Sequence, residues 1–187
     1  CYNILDYNKF LDLYCSEIKK GRKWSLVEKQ LNPGYLFLDF DVSFNLNDVL
    51  IGEKGVYYDY LNEIKEVADL IQTALKQIII DGNYEYIVTQ KDKGSFKNMF
   101  ISYGFHLHYP YIVIPIWLKL FIKEKLNKQI KEILFKTKML QEEIIDEGIL
   151  RGSSGIMLYG SSKPKNNVYK CIYQSGKLKI DTELIKL

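Results

Sequence analysis

Apolar and polar positions alternate most sharply along Tyr35-Leu36-Phe37-Leu38-Asp39-Phe40-Asp41-Val42. A period of two predicts a strand whose Leu38, Phe40 and Val42 face a core while Asp39 and Asp41 project together from the other side. Residues 5–31 read as helical, with Leu5, Phe10, Leu11, Leu13, Tyr14 and Ile18 apolar and an end near Lys20-Gly21, before the turn signal Asn32-Pro33-Gly34. Residues 43–57 read as a loop. Residues 58–80 space Leu61, Ile64, Val67, Ala68, Ile71, Leu75 and Ile78 as one face of an amphipathic helix. Tyr84–Thr89 predicts a strand, Gln90–Asn98 a basic loop, and Gly104–Ile114 a strand or strand pair. Residues 116–139 predict a long helix with Lys119, Lys123, Lys125, Lys128 and Lys131 on a solvated face, a nucleic-acid contact being the less favoured alternative. Ile144-Ile145-Asp146 places an acid at a strand end. A further strand follows at Ile156–Tyr159, then a terminal hairpin from Tyr169–Tyr173 and Leu178–Ile180. Helices and strands in this order predict an α/β or α+β fold.

Composition narrows the picture. A chain of 187 residues that is 47% hydrophobic and 26% charged predicts one globular domain over 1–187, with 1–34 as a helical lead-in. The net charge of +3 implies that any nucleic-acid contact relies on a local patch. Arg22 and Arg151 are the only arginines, which makes each a candidate phosphate contact beside its plainer reading as a surface cation. Cys1, Cys15 and Cys171 are scattered without metal-site spacing, as expected of a reducing compartment. No apolar run has membrane-spanning length and no secretory signal is evident, so the expectation is a non-secreted, intracellular protein with no membrane partner. A first residue that is Cys rather than Met suggests an excerpt of something longer.

Chemistry enters through the acids. Two carboxylates side by side repel unless a cation lies between them, and paired divalent metals drive phosphoryl and nucleotidyl transfer. A polar outer face of an edge strand is the alternative. Asp146 is the best third acid, although Glu142, Glu143 and Glu147 lie beside it. Gly104-Phe105-His106-Leu107-His108-Tyr109-Pro110 holds both histidines on one face, suited to zinc, to a phosphate contact, or simply to backbone hydrogen bonds. Tyr159-Gly160-Ser161-Ser162-Lys163-Pro164 offers hydroxyls and a cation to a phosphate, though without P-loop spacing, and an ordinary turn fits it too.

The order of these pieces is more telling than any one of them. Leu-Asp-Phe-Asp, Gly-x-His-Leu-His-Tyr-Pro, Ile-Ile-Asp and Met-Leu-Tyr-Gly-Ser-Ser-Lys-Pro together resemble the archaeo-eukaryotic primase superfamily, from about residue 35 to about 173. The branch they look most like is the poxvirus-type primase-helicases of large DNA viruses. The resemblance implies an RRM-like catalytic sheet flanked by helices. It implies that Asp39, Asp41 and Asp146 hold two Mg²⁺ or Mn²⁺ ions and that His106 contacts the incoming triphosphate. Lys163 would neutralise phosphate charge, with Ser161 and Ser162 adding hydroxyl donors. His108 is the second choice for the histidine role. Gly104 stands where many relatives have Ser. Met157 stands where some carry Arg, and Arg151 would supply that charge from the preceding loop.

The implied activity is primer synthesis from NTPs or dNTPs on a single-stranded DNA template, with a helicase elsewhere in the polypeptide and the replication site of a large DNA virus as its location. The loop Lys91–Asn98 mixes cations with an aromatic and reads equally as a template contact or a solvated surface loop. Alternatives are a primer-extending primase-polymerase, a non-catalytic nucleic-acid-binding domain that supports a helicase, and a metal-dependent nuclease.

Overall fold

The computed structural model describes residues 4–45, 51–52, 55–56, 61–91, 94–97, 100–135, 144–163 and 167–177. The fold is α+β. Its elements are α1 (Tyr7–Lys19), β1 (Val27–Glu28), β2 (Gly34–Asn45), β3 (Ile51–Gly52), β4 (Gly55–Val56), α2 (Leu61–Ile78), β5 (Ile87–Lys91), β6 (Ser95–Lys97), β7 (Phe100–Ile114), α3 (Ile116–Phe135), α4 (Glu147–Leu150), β8 (Ile156–Met157) and β9 (Tyr169–Gln174). An antiparallel sheet in the order β2-β7-β5-β9, with β6 also on β7, forms the frame.

Period-two alternation splits this sheet into two faces. Leu36, Leu38, Phe40 and Val42 of β2 join Phe105, Leu107 and Tyr109 of β7 in the main core. The lid of that core is α2, whose Ile64, Val67, Ala68, Ile71 and Leu75 follow helical spacing and are fully buried, together with Leu118, Ile122, Leu126, Ile130 and Leu134 of α3. Phe40 stacks on Phe105 with centroids 4.4 Å apart. The β2–β7 register holds from Asn45↔Phe100 to Leu36↔Tyr109, then jumps to Tyr35↔Val113. This bulge shifts the alternation, so Ile112 and Ile114 are buried beyond it, as Tyr109 is before it.

The second face of the sheet is covered by residues 14–28 and 144–163. Here β1 pairs with β8, Trp24 bridges Ser161 in parallel, and Tyr14 Oη donates to the Tyr159 carbonyl at 2.7 Å. Phe37, Ile149 and Ile156 make a small apolar cluster under this layer.

Several local expectations change. The first helix covers only Tyr7–Lys19, capped by Asp6, whose carboxylate accepts from Lys9 N at 3.0 Å. The rest of 5–31 is not helical, because β1 is drawn into pairing with a strand far along the chain. The 43–57 loop reading gives way to the end of β2 and the β3–β4 hairpin. Gly104–Ile114 belongs to one strand that starts at Phe100, and β8 is shorter than Ile156–Tyr159. Tyr84–Tyr86 lie outside β5, and part of the Gln90–Asn98 loop is strand. Lys119 is not on a solvated face: it is fully buried, donating to Gln30 Oε1 at 2.6 Å and the Tyr35 carbonyl at 2.8 Å. Leu178–Ile180 and the end of the 116–139 helix lie outside the described residues.

Candidate active site

Strand pairing brings the acids together. Phe40 forms an antiparallel bridge with Ile145, flanked by Asp146 N→Asp39 O and Asp41 N→Ile144 O, both 2.9 Å. The Ile-Ile-Asp segment thus docks on the free edge of β2, and Asp146 falls opposite Asp39. On the other side of β2, Asp39 pairs with His106 and Asp41 with Gly104. His106 in turn pairs with Thr89 of β5. One row across the sheet therefore reads Asp146, Asp39, His106, Thr89, with Asp41 one step along β2. Side chains opposite one another in such a row lie close enough to interact strongly, and like charges there repel.

Asp146, Asp39 and His106 of this row, with Asp41, line a cleft between the sheet and the 144–163 segment. Its lining includes Asp39, Asp41, Asp146, His106, Ser161, Ser162 and Lys163 among the residues singled out from sequence. Arg151 is not part of it: its guanidinium pairs with Glu147, Nε to Oε1 at 2.6 Å, and points away as an exposed side chain. Ser161 lines the cleft, but its buried hydroxyl is within 2.9 Å of Tyr14 Oη and accepts from Leu26 N at 3.2 Å. Ser162 is held by its backbone, N to Trp24 O at 2.9 Å and O from Ser25 Oγ at 2.5 Å. These two serines tie the N-terminal layer to the cleft wall, whereas Lys163 is exposed.

Electrostatics here are unbalanced toward negative charge. Asp39 Oδ1 is buried and lacks a hydrogen-bond partner among the described residues, although His106 Nε2 lies 3.3 Å away. The protein packed around the Asp41 carboxyl and the charge of Asp39 raise its pKa, with a smaller push from Asp146. His108 sits beside His106: its Nε2 is 3.2 Å from Thr89 Oγ1, and burial, then the neighbouring His106, lower its pKa to about 3. It is a neutral imidazole packed edge-on to Phe37, with centroids 4.7 Å apart.

Two cleft residues were not legible as site residues. Tyr169 of β9 stacks on His106 with centroids 3.6 Å apart, and Lys91 Nζ lies 4.8 Å from the Tyr169 ring centroid. Burial, Asp39 and Asp41 all raise the Tyr169 pKa, so its hydroxyl stays protonated. Tyr169 read only as part of a hairpin, and Lys91 only as part of a basic loop. Their place in the site depends on which strand pairs with which.

The sequence matches the family model of the C962R protein N-terminal AEP domain over residues 1–174. The chain belongs to this family of archaeo-eukaryotic primase domains. None of the curated proteins matches it. The α+β architecture agrees with the primase fold, and membership assigns a primase-like function related to nucleic acid.

Primases of this type are generally metal-dependent. Among the described residues, no group of three or more His, Cys, Asp or Glu side chains is arranged to hold a metal ion as it stands. At Asp146, Oδ1 caps α4, accepting from Gly148 N at 2.7 Å and Ile149 N at 3.4 Å. The donor set nevertheless fits a hard divalent cation. It offers carboxylate oxygens from β2 and from the segment docked on its edge, one of them buried and unpartnered among the described residues, with like charges that a bound cation would relieve.

Proposed function

We propose that this cleft is a primase-type nucleotidyltransferase site that joins nucleotides on single-stranded DNA. The observation that carries the reading is the cross-sheet row Asp146, Asp39, His106 with Asp41 beside it, facing a cleft that also holds Lys91 and Lys163. Asp39, Asp41 and Asp146 would hold two Mg²⁺ or Mn²⁺ ions. Such ions activate an attacking 3′-hydroxyl and stabilise a leaving pyrophosphate when bound. Rotation of the Asp146 carboxylate off the α4 amides would complete the acidic set. The row places His106 beside Asp39, where its imidazole can meet a phosphate of the incoming nucleotide. Lys163, exposed at the rim, and Lys91 supply positive charge to the same triphosphate. The sheet holds Asp39 and Asp41 rigidly, because both sit on β2, whose alternate residues are buried in the main core, while Asp146 is tied to β2 by backbone hydrogen bonds. The parent polypeptide would carry a helicase, and the work would be done at the replication site of a large DNA virus.

The test is synthesis on single-stranded template with labelled nucleotides and Mg²⁺ or Mn²⁺, with and without a primer. Metal-dependent product without a primer, absent in Asp41→Ala, is the expected result. Product only with a primer would make the domain a primase-polymerase that extends. Template binding without product would point to a non-catalytic support domain, and template shortening to a nuclease. Wild-type synthesis by Asp41→Ala would sink the mechanism.

A further inference from the structure

The histidine of this site is held chiefly by rings. The neighbours of the His106 imidazole include Phe37, His108, Tyr169 and the Asp39 carboxylate, and the Asp39 contact misses hydrogen-bond geometry. The closest ring is Tyr169, near-parallel at 25° and with its centroid 3.6 Å away. Tyr169 does not belong to a strand adjacent to His106. It pairs with Lys91 of β5, and β5 lies between β9 and β7. The phenol therefore reaches across β5 to lie on β7.

What makes that reach possible is Gly104. A Cβ at this position would lie 2.6 Å from Tyr169 Oη, and 3.4 Å from Asp41 Oδ1. The first distance is one that real Cβ atoms essentially never show, so any residue larger than Gly would have to push the phenol aside. The third neighbour of such a Cβ, the Phe40 carbonyl, is 3.5 Å away and within ordinary contact. The clash is confined to one oxygen atom of Tyr169.

We infer that Tyr169 is a positioning residue of the nucleotide site, which fixes the plane of His106 by stacking, and that Gly104 is kept side-chain-free to admit it. The inference rests on the nucleotidyltransferase reading above for what His106 contacts, but the Tyr169–Gly104 coupling stands on its own geometry. An imidazole already held in one orientation loses little rotational freedom when a triphosphate binds, so the benefit appears in nucleotide affinity rather than in protein stability.

The experiment is a cycle of variants read by anisotropy of a fluorescent nucleoside triphosphate with Mn²⁺, by KM and kcat of primer synthesis, and by melting temperature. Tyr169→Leu, which removes the ring, is expected to weaken nucleotide binding and raise KM about tenfold with a smaller change in kcat, in line with the loss of one ring pair. Gly104→Ala is expected to weaken binding in the same way, by pushing the phenol off His106. Tyr169→Phe keeps the ring, and the double variant Gly104→Ala/Tyr169→Phe, which lacks the clashing oxygen, is expected to bind nucleotide as well as Tyr169→Phe alone. Recovery in the double variant also shows that Gly104→Ala loses function without misfolding. A double variant no better than Gly104→Ala, or a Tyr169→Leu protein with wild-type affinity, overturns the inference. Nucleotide binding with no synthesis by the wild-type protein overturns the catalytic reading instead, and leaves the cycle readable in affinity.

Discussion

The two faces of β2 are built from alternate residues of one strand, yet they follow opposite rules. On the helix side, Leu36, Leu38, Phe40 and Val42 are fully buried and surrounded by α2, α3 and β7. On the cleft side, Asp39 and Asp41 stand beside Asp146, with an unpartnered buried oxygen and a raised carboxyl pKa. The first face lowers the free energy of the fold by removing apolar surface from water. The second raises it through desolvation and like-charge repulsion, and is sustained because the first is well packed. Substitutions only one residue apart should therefore have opposite signatures.

The comparison breaks if Phe40→Ala is mild. Loss of its stacked, fully buried ring should cost about 3–5 kcal/mol, read by urea denaturation. A cost below about 1 kcal/mol would mean that the face is loosely packed. One residue away, Asp39→Asn keeps the shape and removes a charge. It should lower primer synthesis about 100-fold or more, the scale of several kcal/mol of lost metal-held charge stabilisation, while the melting temperature holds or rises. A clear fall in melting temperature would mean that Asp39 stabilises the fold, contrary to the charge argument. The same argument predicts that Mn²⁺ raises the melting temperature of the wild-type protein more than that of Asp39→Asn.

Asp146 sharpens the contrast because it belongs to both sides. As the cap of α4 it should cost about 0.5–2 kcal/mol when changed to Ala. As a candidate metal ligand it should also reduce synthesis. Asp146→Ser, which retains a capping oxygen but not the charge, should recover stability and leave synthesis impaired. Recovery of both would remove Asp146 from the metal set.

The smallest effect concerns Lys119, a charge on the buried side. Burial lowers its pKa from 10.5 to about 8. Below about 8 the folded protein carries a buried ammonium. From about 8 toward 10.5 the unfolded chain binds more protons than the folded one, so stability should rise with pH across that window. Above about 10 the buried tyrosines oppose this, since their raised pKa values favour the folded state losing stability as the unfolded phenols ionise. The check is the difference in unfolding free energy between wild type and Lys119→Met from pH 7 to 10. It should shift in favour of wild type as pH rises, and a flat difference would show that the ammonium is already solvated.

Much of the site was legible along the chain. The Asp39/Asp41 pair, the strand under it and the amphipathic face of α2 follow from local periodicity, and the order of the Asp, His, Asp and Ser-Ser-Lys segments pointed to the primase family. Partners were not legible. Ser161 lines the cleft with its hydroxyl against Tyr14, and Arg151 pairs with Glu147. A sequence shows that a residue carries a hydroxyl or a charge, but not which partner reaches it first. Lys119 illustrates the same point: its spacing put it on the outer side of α3, and its burial comes from Gln30 and Tyr35, far away in sequence.

By itself the sequence determined which side chains share a face, because alternation in a strand and spacing in a helix are local consequences of backbone geometry. Only the tertiary structure decided which strands are neighbours. It set Asp146 opposite Asp39 and laid Tyr169 across β5 onto His106, above a glycine that leaves it room. Those placements depend on strand register between segments far apart along the chain, and register is settled by the packing of the whole core rather than by any local pattern.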